Sequence, residues 1–137
     1  MEWMLMPLRR YADFSGRSRR KEYWMFVLFE IILFTVVGVV GAMLLGAGDA
    51  TEVGLDAIGG TLLIIFILMG LALLIPGIAV TVRRFHDQDL SGWFVLLGLI
   101  PYIGGLVILI FMFMEGKSGP NRFGPDPKAE DRGEAIV

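Results

Sequence analysis

Two stretches of this chain set side chains capable of chemistry close together. One is Arg83-Arg84-Phe85-His86-Asp87-Gln88-Asp89-Leu90-Ser91-Gly92-Trp93, which gathers two arginines, the single histidine and two carboxylates. The other is Phe14-Ser15-Gly16-Arg17-Ser18-Arg19-Arg20-Lys21-Glu22-Tyr23-Trp24, a run of cations followed by a carboxylate and two aromatic rings. His86 beside Asp87 or Asp89 has the composition of a general base. One histidine falls short of the three His, Cys or carboxylate ligands of a hydrolytic metal site, and the chain has no cysteine. No Gly-x-Ser-x-Gly elbow, His-Glu-x-x-His pair or complete phosphate loop is present; Gly116-Lys117-Ser118 has only the end of one. We therefore assign no catalytic residue, metal or cofactor, and enzymatic chemistry is the weakest reading.

Guanidinium groups hold anions well, often in bidentate fashion. The candidate binding set is Arg17, Arg20, Glu22, Arg83, Arg84, His86, Asp87, Ser91, Trp93 and Asn121, with a lipid headgroup or a partner's carboxylate as ligand. Ser18 can cap the helix that follows it, and Glu22 in the first turn suits the positive end of the helix dipole. The formal net charge of -2 gives no global pull toward nucleic acid, and none is expected as a partner.

The elements that must position these groups are apolar. The chain is 55% hydrophobic and 19% charged, with a mean hydropathy of +0.70, whereas a soluble domain carries about 25% charged residues to wet its surface. Three long apolar stretches stand out, at 24–47, 58–82 and 92–114. Each reaches the roughly 20 residues a helix needs to cross a bilayer, and backbone in lipid must satisfy its own hydrogen bonds. The expected fold is an all-α integral membrane protein, a small helical bundle of three apolar segments. The segments divide as a basic interfacial region 1–23, a transmembrane domain 24–114 and a Gly/Pro-rich polar tail 115–137, disordered after about residue 127. Met1 to Tyr11 is expected as a short amphipathic helix in the interface.

Basic residues precede the first stretch, while the connection from Gly48 to Ala57 holds Asp49, Glu52 and Asp56 but no Lys or Arg. The positive-inside rule then puts the N-terminus in the cytoplasm, that connection outside, and the loop Arg83 to Ser91 inside again. The tail, with Lys117, Arg122, Lys128 and Arg132, fits the rule only if the third stretch turns back. Pro101 and Gly104-Gly105 interrupt that stretch, so it is either kinked or re-entrant at Pro101. A single kinked span is favoured, because each arm of a hairpin is only about half a bilayer deep.

Within the apolar runs, Glu30 is the lone carboxylate, read as an ion pair with Arg83 or Arg84. Its alternative role is a proton or cation site in an oligomeric transporter or channel. Gly38, Ala42 and Gly46 form a small-residue stripe suited to helix packing, within the chain or in a homo-oligomer.

Gly16 to Trp24, Arg83 to Asp87 with Ser91-Gly92-Trp93, Ile100-Pro101-Tyr102-Ile103-Gly104, and the tail with Asn121-Arg122-Phe123-Gly124 and Asp126-Pro127 occur in that order over nearly the whole chain. In this the chain resembles the bacterial inner-membrane family catalogued as domain of unknown function 805. The resemblance implies a small multi-pass membrane protein and brings no activity with it. Its three polar motifs would form one cluster only if all lie on the same face, which speaks for the broken third segment. The reading that results is a membrane scaffold or a module binding anionic headgroups or a partner.

Overall fold

The computed structural model describes residues 2–47, 52–129, 131 and 133. Among them the regular structure is helical: α1 (Glu2–Arg9), α2 (Arg20–Ala47), α3 (Glu52–Asp87), a 3-10 helix (Gly92–Leu99) and α4 (Ile103–Phe113). The chain forms two units, Met1–Phe26 with Ile75–Val137, and Val27–Leu74. The expected outer connection is shorter than the sequence suggested, because helix resumes at Glu52; Asp49 lies outside the described residues.

Among the described residues two helices are long and apolar enough to cross a membrane, Arg20–Gly46 with a window of mean hydropathy 2.5 and Ala57–Asp87 with one of 2.9. Only 6% and 22% of those windows is buried. A core helix of a water-soluble protein would be mostly buried, so these apolar surfaces need a lipid solvent. In the second unit the two helices approach through small residues. Phe34 and Phe66 lie 5.6 Å apart, and a Cβ on Gly41 would come within 2.8 Å of the Leu62 side chain. Of the expected stripe, Gly38 takes part, meeting Phe66 at 3.7 Å, while Gly46 has nothing within 4 Å and Ala42 is exposed. Intrachain packing thus uses Gly38 and Gly41.

The third apolar stretch does not form one long helix. It breaks at Ile100-Pro101-Tyr102, where Tyr102 takes φ 66° and the α4 amides of Ile103 and Gly104 turn back onto the carbonyls of Pro101 and Ile100. The 3-10 helix and α4 then pack antiparallel. Gly98 faces Ile108, and Phe94 and Phe111 both lie against Phe85 of α3, at 5.9 and 5.6 Å. Gly104 makes the reversal possible, since a Cβ there would sit 1.8 Å from the Leu97 carbonyl oxygen. At about 2.0 and 1.5 Å per residue the two arms are each about 16 Å long, close to half of the ~30 Å hydrocarbon layer. The favoured single kinked span is therefore corrected to a hairpin. The break falls at Pro101, between the two helices, and Gly104 after it lets the backbones touch.

The polar loop expected from Arg83 to Ser91 is also corrected: Arg83 to Asp87 are the last turns of α3. Only Gln88 to Leu90 form the turn, with Asp89 at φ 62°. Ser91 then caps the 3-10 helix, its hydroxyl accepting from the Trp93 amide at 3.4 Å. At the N-terminus α1 is helical, as expected.

Candidate functional site

α3 ends in charged residues because its last turns leave the apolar layer and meet two other polar segments of the first unit. Arg17 donates from Nε to Asp87 Oδ1 at 3.0 Å, from Nη1 to the Gly119 carbonyl at 2.6 Å and from Nη2 to the Lys117 carbonyl. Its side chain is 1% exposed and that of Asp87 5%. The other Asp87 oxygen accepts from Arg84, which also donates to the Met114 carbonyl. One carboxylate thus joins two buried guanidiniums, Arg84 from its own helix and Arg17 from the segment before α2. The Asp87 backbone carbonyl accepts from the Lys117 amide at 2.8 Å. Gly116 passes so close that a Cβ would lie 1.8 Å from Asp87 Oδ2.

A second layer surrounds Arg83, which is fully buried. Its Nη2 donates to Glu22 Oε1 at 2.9 Å and its Nη1 to the Asp13 carbonyl at 2.8 Å. Ser18 Oγ donates to Glu22 Oε2 at 2.7 Å, and its amide donates to the Arg83 carbonyl at 3.1 Å. Ser18 therefore orients a carboxylate where a helix cap was expected. Arg83 and Arg84 pair with Glu22 and Asp87, which corrects the ion pair expected with Glu30. The reason is distance along the helix: Glu22 lies in the first turn of α2, eight residues nearer its polar end. Glu30 is half-buried on α2 and has no ion-pair partner among the described residues.

The tail is held by a third set. His86 stacks on Phe123, centroids 3.8 Å apart and planes 5° from parallel. Its Nδ1 lies 3.2 Å from the Gly16 carbonyl, which can only accept, so Nδ1 carries the proton. Asn121 Nδ2 donates to the His86 carbonyl at 2.8 Å and its Oδ1 accepts from the Phe123 amide at 2.9 Å. Asp89 accepts from Lys117 Nζ at 2.9 Å with Arg122 at 3.4 Å; the hydrogen bond from Lys117 comes first among the causes that hold its carboxyl below the usual range. Arg19 reaches the Pro127 carbonyl and Asp131, and Ala129 is buried. Most of the stretch expected to be disordered after about residue 127, residues 130, 132 and 134–137, lies outside the described residues.

Of the ten candidate binding residues, the structure brings together Arg17, Glu22, Arg83, Arg84, His86, Asp87 and Asn121. Their polar atoms are largely committed to each other and to backbone carbonyls. Arg20 stands at the surface and pairs with Glu115 at 3.3 Å, Ser91 caps, and Trp93 is 77% exposed. Asp87, accepting from two guanidiniums, is poorly placed to act as a base. Sequence reasoning did not assign roles to Asp13, Gly116, Lys117 and Phe123. The carbonyls of residues 13, 114, 117 and 119 leave no mark in side-chain identity, whereas Phe123 next to Asn121 in the tail motif was a usable signal.

A family model described as "Protein of unknown function (DUF805)" matches residues 11–125. The chain is 45% identical over 130 residues to "Inner membrane protein YhaH" of Escherichia coli (strain K12), covering 95% of this chain and 99% of that protein. It is 43% identical over 128 residues to "Inner membrane protein YhaI" of the same strain, covering 93% and 97%. No solved structure matches it.

Proposed function

We propose a function from the premise that this chain belongs to the DUF805 family: it is a multi-pass inner-membrane protein whose polar cap binds anionic phospholipid headgroups. α2 and α3 cross the bilayer, the hairpin of the 3-10 helix and α4 enters and leaves on one side, and both polar termini face the cytoplasm. The carrying observation is the distribution of cations. All 12 Lys and Arg belong to the first unit, and Val27 to Leu74 has none. That asymmetry is what positive-inside orientation requires.

Two classes of cation serve two purposes in this reading. Arg17, Arg83 and Arg84 are buried and paired with Asp87 and Glu22, so they hold the cap in shape. Arg9, Lys21, Lys117 and Arg122 are exposed, and Lys21 and Arg19 lie over the Trp3 ring of α1 at 5.4 and 5.3 Å. An indole at the headgroup boundary ringed by cations suits an anionic surface, at about 1 kcal/mol per basic residue near it. A rigid cap that concentrates anionic lipid around two spanning helices is a membrane scaffold.

The test is the lipid retained by the protein in nanodiscs of mixed phosphatidylglycerol and phosphatidylcholine. Enrichment of phosphatidylglycerol over the bulk, falling with salt and with Arg9→Gln, Lys21→Gln and Arg122→Gln combined, is expected. A retained lipid composition equal to the bulk in the unsubstituted protein overturns the reading.

A further inference from the structure

A groove of about 560 Å³ runs down the first unit from its polar cap, within the roughly 300–1,000 Å³ of ligand clefts. Its apolar walls are Ile78 and Val82 of α3 and Val95 and Leu96 of the 3-10 helix, with Trp93 at the rim. His86, Ser91 and Phe123 close its upper end. His86 and Ile78 are eight residues apart on one helix, about 12 Å, so the groove passes from the cap into the apolar layer. Gly92 keeps it open beside His86: a Cβ there would meet Val82 at 2.6 Å and His86 Nε2 at 3.0 Å. One cation stands beside the mouth: the Arg122 guanidinium, which also reaches Asp89, lies 4.7 Å from the Phe123 ring centroid, and that ring stacks on His86.

We propose that this groove holds one acyl chain of a phospholipid drawn from the surrounding bilayer, with the lipid phosphate at the mouth facing Arg122 and Ser91. Continuity selects the occupant. The groove walls merge with the exposed apolar surface of the spanning helix and the hairpin, where Ile78 is 37% and Leu96 49% exposed, so hydrocarbon chains reach it from the side. Apolar walls that face a void lose their dispersion contacts, and acyl chains restore them without dehydrating anything. The polar mouth adds what a bare hydrocarbon slot would lack. His86 donates its Nδ1–H to the Gly16 carbonyl, which leaves Nε2 turned toward Gly92 and the groove. A lipid seated here is a retained ligand, distinct from the exchanging lipid around the helices. The proposal rests on the membrane reading above and deepens it from headgroup attraction to a seat for a whole lipid.

A photo-crosslinking benzoylphenylalanine at Val95, in the full chain, is compared with one at Ile103, which is exposed on α4 outside the groove. Protein is extracted in detergent, washed and irradiated, and intact mass is read. A phospholipid adduct several-fold more abundant at 95 than at 103, and lowered by the groove-filling Ile78→Trp or Leu96→Trp with the melting temperature retained, is expected. Arg122→Gln is expected to lower it as well. Equal adduct at both positions, or cross-links at 95 to a second copy, to the chain's own terminus or to another protein, overturn the proposal. If the adduct persists at 95 but its headgroups match the bulk composition, the groove stands and the headgroup selectivity proposed above does not.

Discussion

Arg17 and Asp87 are 70 residues apart in the chain and meet side by side at 3.0 Å, both buried. Asp87 also holds Arg84, so the segment before α2, the end of α3 and, through the carbonyls of residues 114, 117 and 119, the tail depend on one carboxylate. Asp87→Asn leaves two buried guanidiniums without their counter-charge. Removing one partner of a buried pair costs about 3–5 kcal/mol. We expect a large fall in the melting temperature in detergent, greater than for Glu115→Gln, whose pairing with Arg20 is exposed.

Gly116→Ala puts a methyl group into the space of the Asp87 carboxylate. The expected result is release of the tail with the spanning helices intact: faster protease cleavage after residue 115 and unchanged far-ultraviolet circular dichroism. Gly119 has nothing within 4 Å but takes φ +78°, so Gly119→Ala is expected to strain the turn without the clash and to release less of the tail.

Gly104→Ala forces α4 away from Leu97. Overpacking of this kind costs about 1–3 kcal/mol or more. Its neighbour Gly105 has nothing within 4 Å, and Gly105→Ala is expected to be neutral or to stabilise α4 by up to about 1 kcal/mol. Thermal unfolding of the pair of variants checks both signs.

The two termini are expected on one side of the membrane. The chain has no cysteine, so single cysteines at exposed Ser15 and Ser118 can be labelled by a membrane-impermeant maleimide in intact and permeabilised spheroplasts. Both are expected to label only after permeabilisation. Labelling of Ser118→Cys in intact spheroplasts would contradict the hairpin.

Asp13 accepts from the Ser15 hydroxyl and amide and from Arg10, and those bonds, the hydroxyl first, hold its carboxyl well below the usual range. A carboxyl lowered in the folded state stabilises fully above its unfolded value, near 3.9, and loses that contribution only as pH falls through the lower folded value. The turn at 13–15 is therefore expected to hold unchanged from neutral pH to about pH 4. Carboxyl-carbon NMR of Asp13 in micelles should show a titration midpoint below that of an unstructured aspartate.

Sequence revealed the parts of this protein whose cause is local. Apolar runs around Val36 and Leu63 announce lipid-facing helices, and Pro101 with Gly104 announces a break. Whether the break kinks or reverses depended on Gly104 touching the Leu97 carbonyl, a contact that composition does not encode. Arg83 to Asp87 read as a loop because charged residues usually follow a span; they stay helical because Glu22, Arg17 and three backbone carbonyls absorb their charge. Glu30 looked like the partner of Arg83 because it was the conspicuous carboxylate. Glu22, hidden among cations, had the shorter reach.

The hairpin of the 3-10 helix and α4 has a consequence for how the chain enters a bilayer. In the orientation proposed above, the cations stay on the side of synthesis, and the insertion machinery has to pass only the acidic connection between α2 and α3 to the far side. The third apolar stretch then needs no translocation at all. It can slide into the near leaflet after α3 is in place, guided by Phe85 against Phe94 and Phe111, and be locked there when the tail closes over Asp87.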